Sequence, residues 1–190
     1  MRLILASASP RRVDLLARIG ITADAVVPAD VDESVPNGEL PRDHALRLAR
    51  EKALAVASSQ PDALVLAADT VVAVGRRILP KVEDEATLRA CMRLLSGRRH
   101  RVMTGVALAL PGGSVRERLV ETMIAMKRLS EEEIDFYAAH GEWRGKAGGY
   151  ALQGYGEVYV RHIAGSYSNV VGLPLAETRV LLKAAGYPVG

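Results

Sequence analysis

The segment LILASASPRRVDLL, residues 3–16, constrains this chain more than any other stretch. A short apolar run, RLILAS, reads as a buried strand. Ser9 then stands at an N-cap position and Pro10 at the first helical position. Val13, Leu15, Leu16 and Ile19 supply the apolar positions of a helix, and Gly20 stops it. The strand therefore runs straight into a helix, and the small-residue turn between them exposes backbone N–H groups, a ready anion site. Arg11 and Arg12 sit side by side at this end, where the helix dipole is already positive. Two guanidiniums there are unfavourable unless something negative arrives, and their forks suit phosphate. The alternative is that both are solvated or pair with neighbouring acids.

The remaining pattern extends the α/β alternation. ADAVVPADVDE reads as a second strand running into acids, and PRDHALRLAREKALAVASSQ as a long helix. DALVLAADTVVAVG is one long apolar strand, or two halves meeting at Asp69. EDEATLRACMRLLSG predicts a helix stopped by Gly97. HRVMTGVALAL and RLVETMIAMKRL predict paired strands around a PGGS turn. SEEEIDFYAAHG opens with a capping box, Ser130 with Glu133. The Gly-rich stretch 146–169 holds one short strand, EVYVRHI, and PLAETRVLLKAAG predicts the last helix. No repeat or low-complexity linker divides the 190 residues. The expectation is a single domain over 1–190, α/β with a mixed sheet and two lobes around a cleft.

Two polar groups fall in apolar places. On a helical wheel of residues 42–58, Lys52 lands within the arc of Ala45, Leu46, Leu48, Ala49, Ala53, Ala55 and Val56, opposite Asp43, His44, Arg47, Arg50 and Glu51. Such a lysine snorkels, pairs with a carboxylate, or reaches into a cleft. Asp69 interrupts ALVLAADTVVAV, where a buried charge is costly. It marks a turn, a buried ion pair, or a carboxylate held for metal or proton work. An anion-binding helix start, a mid-stripe lysine and a strand aspartate together point to a phosphorylated substrate, with a carboxylate and Mg²⁺ to activate water.

Composition narrows the classes. Lys plus Arg is 25 against 22 Asp plus Glu, a net charge of +3, too mild for a nucleic-acid binder. The single cysteine, Cys91, allows no internal disulfide and no cysteine zinc site, which fits a reducing cytoplasm. No apolar run is long enough to cross a membrane. GEWRGKAGG lacks the Walker spacing, and the four histidines lack metal-ligand spacing.

LASASPRRVDLL, AADTVV, LLSGRRHRVMTGVAL, GEWRGKAGGYALQGYG and GSYSNVVGLPLAET, in that order, resemble the Maf family of nucleoside triphosphate pyrophosphatases. The resemblance runs nearly end to end. It implies an elongated mixed β-sheet flanked by helices, two lobes around a cleft, similar to the inosine triphosphatase group. It implies cleavage of a nucleoside triphosphate to the monophosphate and pyrophosphate with a divalent cation, Mg²⁺ or Mn²⁺. By position, Asp69 becomes the catalytic acid, Lys52 a second catalytic residue, Arg11 and Arg12 the phosphate arginines, and Ser7 part of the preceding turn. Glu33 carries over as a metal ligand with Asp69, and Lys81 and Lys146 as substrate-binding residues. KAGGYALQG resembles the branch acting on dTTP and UTP, in which Arg11, Thr70 and Gln153 are associated with substrate choice. Modified pyrimidine nucleotides are further candidates. The family pattern has Lys-Pro where this chain has Lys81-Val82, so this loop lacks the φ restraint of proline. From the resemblance alone a homodimer is expected.

Three other readings stand beside this one. A 7-methyl-GTP pyrophosphatase would differ in base preference. A nucleotide-binding regulator of septum formation would keep the arginines and lysine without needing Asp69. A nucleic-acid binder would need stacking aromatics, and the chain has one Phe and one Trp. The expected partner is a nucleoside triphosphate, with neither nucleic acid nor membrane.

Overall fold

Strand β1 (Leu3–Ala6) is buried at all four positions and turns through residues 7–9 into helix α1 (Pro10–Arg18). These elements are those of a computed structural model, described over residues 1–189. Ser9 holds the N-cap position in extended conformation, but its hydroxyl makes no cap bond. The hydroxyl of Ser7 organises the turn instead, accepting the Ser9 N–H at 3.1 Å.

The second strand is far shorter than ADAVVPADVDE predicts. Only β2 (Ala25–Val26) forms, parallel to β1. Pro28 soon follows, lacking an N–H for a ladder, and residues 27–40 cross as an irregular loop to helix α2 (Pro41–Ala57). That loop covers the helix face expected to be polar. His44 is therefore buried, its Nδ1 2.6 Å from Glu39 Oε2. Arg47 binds Glu39 at 2.7 Å and the Ser34 carbonyl at 3.0 Å, tying the loop down.

Strand β3 (Leu64–Val74) is continuous through Asp69. After β4 (Arg77–Ile78), β5 (Lys81–Val82) and helix α3 (Glu85–Leu95) come the long antiparallel strands β6 (Arg99–Ala109) and β7 (Val115–Met126). Helix α4 (Glu131–His140) carries the anticipated capping box. β8 (Lys146–Ala147) pairs with β5 in a separate two-stranded sheet. EVYVRHI is only partly a strand. A 3-10 turn occupies Tyr155–Tyr159, and β9 (Val160–Ala164) begins after it. Helices α5 (Tyr167–Val171) and α6 (Leu175–Ala184) close the chain. The main sheet has order β2-β1-β3-β6-β7-β9, with β4 on β3. β1 runs parallel to β2 and β3, and the remaining pairs are antiparallel, so the sheet is mixed.

The apolar residues form three clusters. At the β1 end, Leu5, Leu15, Leu66, Leu108 and Leu182 fill one face of the sheet. Ala49, Ala53, Ala67 and Ala107 fill the other, under α2. The third lies at the far end, around Val72, Leu88, Ile124, Tyr137 and Trp143. Two lobes result. β1 leaves β3 at Ala67 and β4 joins the same edge only at Ala73, so Asp69 and Thr70 lie on an uncovered stretch of strand. Ligands in such sheets bind beyond the carboxyl end of a strand, here β1.

Small residues set how closely α2 approaches this stretch. Gly105 lies opposite Asp69 in the β3–β6 register, and a Cβ there would overlap the Ala45 carbonyl of α2. Gly105→Ala is expected to cost ~1–3 kcal/mol through overpacking, with Tm lower by roughly 2–4 °C per kcal/mol. Thermal unfolding checks this, and an unchanged Tm contradicts the close packing.

Candidate active site

One cavity of about 330 Å³ opens between the lobes, and all ten residues singled out from sequence line it: Ser7, Arg11, Arg12, Glu33, Lys52, Asp69, Thr70, Lys81, Lys146 and Gln153. Five are cations and two are carboxylates, an excess of positive charge that calls for an anionic occupant.

The carboxylates meet at Lys52. Its Nζ lies 2.6 Å from Asp69 Oδ1 and 2.5 Å from Glu33 Oε1. Lys52 and Asp69 are both buried, so the mid-stripe lysine pairs across to the strand rather than snorkelling. Asp69 Oδ2 has no hydrogen-bond partner among the described residues. The ammonium of Lys81 binds the other oxygen of Glu33. Partial burial pushes the Glu33 carboxyl up, but Lys52 and Lys81 outweigh it and hold it at about 2. Val82, at the position where the resemblance expects proline, is buried in the far-lobe cluster, and β5 pairs with β8.

No group of three or more His, Cys, Asp or Glu among the described residues is arranged to hold a metal. The donor set nevertheless suits a hard cation. Asp69 and Glu33 come together at the Lys52 ammonium and Asp69 Oδ2 stays free of it, and Mg²⁺ commonly takes one or two carboxylates and completes its shell with phosphates and water.

The two arginines are not equivalent. Arg12 reaches back into the fold, donating from Nε to the Gly172 carbonyl at 2.8 Å, from Nη1 to Ser7 Oγ at 3.1 Å and from Nη2 to Thr70 Oγ1 at 3.4 Å. Thr70 Oγ1 also lies 2.9 Å from Thr104 Oγ1. Arg12 thus braces the turn against β3 and the α5 end, and keeps two of its five N–H groups for a ligand. Burial lowers its pKa, and Asp69 pulls it back up. Arg11 makes no hydrogen bond or ion pair among the described residues, and burial lowers its pKa too. The Ala8 and Arg11 amides find no acceptor there either. Lys146 donates to the Glu142 carbonyl. Burial and the nearby Arg11 lower its pKa, as expected of cations gathered without their anion.

The far-lobe side of the cavity is apolar, lined by Val72, Val102, Tyr150 and Leu152, with the exposed side chain of Gln153 at its margin. Sequence reasoning missed Tyr150. Its hydroxyl lies 2.7 Å from Nε2 of buried His100, and the rings meet edge to face. Burial pushes His100 down to about 4 from 6.5. An unfolded chain takes up this proton near pH 6.5 and the folded one only near 4, so stability falls as pH drops through that window. The loss is roughly 3 kcal/mol at most. His100→Phe is expected to flatten this slope in urea unfolding at pH 7 and 4.5, and an unaltered slope contradicts it.

Relatives match this chain over nearly its whole length. A chain from Novosphingobium aromaticivorans named dTTP/UTP pyrophosphatase is 60% identical over 187 residues, covering 98% of this chain and 93% of its own. One of the same name from Paramagnetospirillum magneticum is 62% identical over 185 residues, covering 97% of each. Among solved structures, a dITP/XTP pyrophosphatase from Mycobacterium abscessus superposes with TM-score 0.47 at 18% identity, over 97% of this chain and 94% of that one. The family model described as Maf-like protein matches residues 2–185, so the strand-turn-helix, the Lys52–Asp69 ion pair and the Gly-rich loop all fall within the matched residues, and this chain belongs to the Maf-like proteins.

Proposed function

We propose that this protein hydrolyses dTTP and UTP to the monophosphate and pyrophosphate. The observation that carries the reading is the cavity itself: five cations and two carboxylates facing an apolar wall with one free amide side chain. The dTTP/UTP pyrophosphatases of about 60% identity support the choice of base.

In this reading the triphosphate lies against the 7–11 turn. The Ala8 and Arg11 amides and the Arg11 guanidinium bind phosphate oxygens, and Lys146 adds charge where the pyrophosphate leaves. Arg12 fixes the turn to Thr70 and so to the strand that carries Asp69. Lys52 keeps the Asp69 and Glu33 carboxylates together. Asp69 Oδ2 accepts a proton from the water that attacks the α-phosphorus. Asp69 and Glu33 would hold a divalent cation, which when bound supplies charge neutralisation at the phosphates. Gln153 accepts from N3–H and donates to O4 of thymine or uracil, while Tyr150 and Leu152 pack the ring. An amide can also turn to suit cytosine, so the loop that orients Gln153 matters.

A pyrophosphate-release assay over the common nucleoside triphosphates and 7-methyl-GTP, with and without Mg²⁺ or Mn²⁺, tests this. Highest kcat/KM for dTTP and UTP is expected. Faster turnover of 7-methyl-GTP or dATP contradicts the base assignment. A nucleotide-binding regulator would bind without turnover.

A further inference from the structure

Glu142 lies outside the cavity lining, yet it closes the loop that brings Lys146, Tyr150, Leu152 and Gln153 to it. Its carboxylate sits at the start of the loop and binds its end. Oε1 accepts the Gly156 N–H at 2.7 Å and Oε2 the Tyr155 N–H at 2.9 Å. The Tyr137 hydroxyl donates to Oε1 at 2.9 Å and accepts the Ala151 N–H at 3.2 Å, linking the carboxylate to mid-loop. Gly154 lies flush against Oε2, where a Cβ would overlap it.

Between Glu142 and Gly156 the chain has almost no regular structure and five glycines, at 145, 148, 149, 154 and 156. Such a segment loses much conformational freedom on ordering. A single side chain that accepts from both its end and, through Tyr137, its middle fixes where Tyr150 and Gln153 stand. Partial burial pushes the Glu142 carboxyl up, and the Gly156 and Tyr155 N–H groups and the Tyr137 hydroxyl more than reverse this, keeping it ionised.

We propose that Glu142 is a positioning residue for base recognition: by closing the 142–156 loop it sets Gln153 and Tyr150 against the pyrimidine ring. The proposal rests on the nucleotide pyrophosphatase reading above. It assigns discrimination between thymine or uracil and cytosine to a carboxylate that touches no substrate, because a Gln153 amide held in one orientation distinguishes the bases and a loose one does not.

Glu142→Gln keeps the volume but turns one acceptor into a donor that faces a loop N–H. KM for dTTP is expected to rise roughly tenfold or more, the scale of one lost charge-assisted hydrogen bond. kcat is expected to stay within about threefold, since Asp69, Lys52 and Glu33 lie on other elements and Lys146 is held by the main-chain carbonyl of Glu142, which the substitution leaves in place. The dTTP-to-dCTP ratio of kcat/KM is expected to fall at least about fivefold. A purely structural role would lower the active fraction, and with it kcat, without moving KM or this ratio. KM and ratio within about twofold of wild type, in a variant with wild-type circular dichroism, overturn the proposal.

A double-mutant cycle supplies the second test. Gly154→Ala is expected to raise KM in the wild-type background and to have little effect in Glu142→Ala, where the oxygen it would strike is gone. Equal effects in both backgrounds overturn the proposal. Should the Glu142 variants not fold, Tyr137→Phe removes the hydroxyl alone, and with it the bonds to Glu142 and to Ala151. The same KM-against-kcat split is expected, and an unchanged KM overturns. An inactive wild type would sink the nucleotide reading, whereas an active wild type with unchanged variants sinks only the role of Glu142.

Discussion

Asp69→Asn is expected to lower kcat by ~10²- to 10⁴-fold, the usual loss on removing a general base. The substitution keeps the size of the side chain and its place on the open stretch of β3. It removes the charge that pairs with Lys52 at 2.6 Å and the Oδ2 that has no donor among the described residues. Steady-state turnover of dTTP and UTP measures the effect, and a variant as fast as wild type would end the catalytic assignment. Loss of a metal ligand could cost as much, so rate alone does not separate the two roles. Metal titration does. A ligand role gives a much weaker apparent metal affinity, whereas a base role gives nearly normal affinity with slow chemistry.

Lys52→Met is expected to cost both activity and stability. Its ammonium is the single cation that bridges Asp69 and Glu33. Without it two carboxylates share a site and one of them takes up a proton, so kcat/KM is expected to fall by ~10²-fold, equivalent to ~2.7 kcal/mol. Breaking a buried pair also destabilises by about 3–5 kcal/mol, at the low end here because Glu33 is partly exposed. The acid limb of the kcat/KM profile is expected to move to higher pH. If Lys52 were only a stem lying along apolar surface, kcat/KM would stay within about threefold, a loss under ~0.7 kcal/mol.

These two residues were legible in the sequence for one physical reason. A charge in an apolar stripe or strand is expensive, so its presence alone signals a partner or a task. The opening strand, turn and helix were legible through local chemistry, Pro10 above all. What was not legible depends on contacts between distant segments. Arg11 and Arg12 are alike in sequence, and bonds to Ser7, to Thr70 and to the Gly172 carbonyl, 160 residues on from Arg12, separate the braced arginine from the free one. His44 belongs to a polar arc on the helical wheel, and it is buried because the loop from 27 to 40 folds over that arc. β2 is shorter than ADAVVPADVDE suggests, because only Ala25 and Val26 of its strand-like residues find a ladder partner. Glu142 gave a faint signal, an acid next to the sole Trp at the head of a Gly-rich stretch. The bonds that give it meaning lie at Tyr155 and Gly156.

Hydrolysis of dTTP in ¹⁸O-water, with products analysed by ³¹P NMR and mass spectrometry, tests the central claim most directly. A water activated at Asp69 and aimed at the α-phosphorus puts the label in dTMP and leaves the pyrophosphate unlabelled. Label in the pyrophosphate, or release of orthophosphate in place of pyrophosphate, would contradict the account.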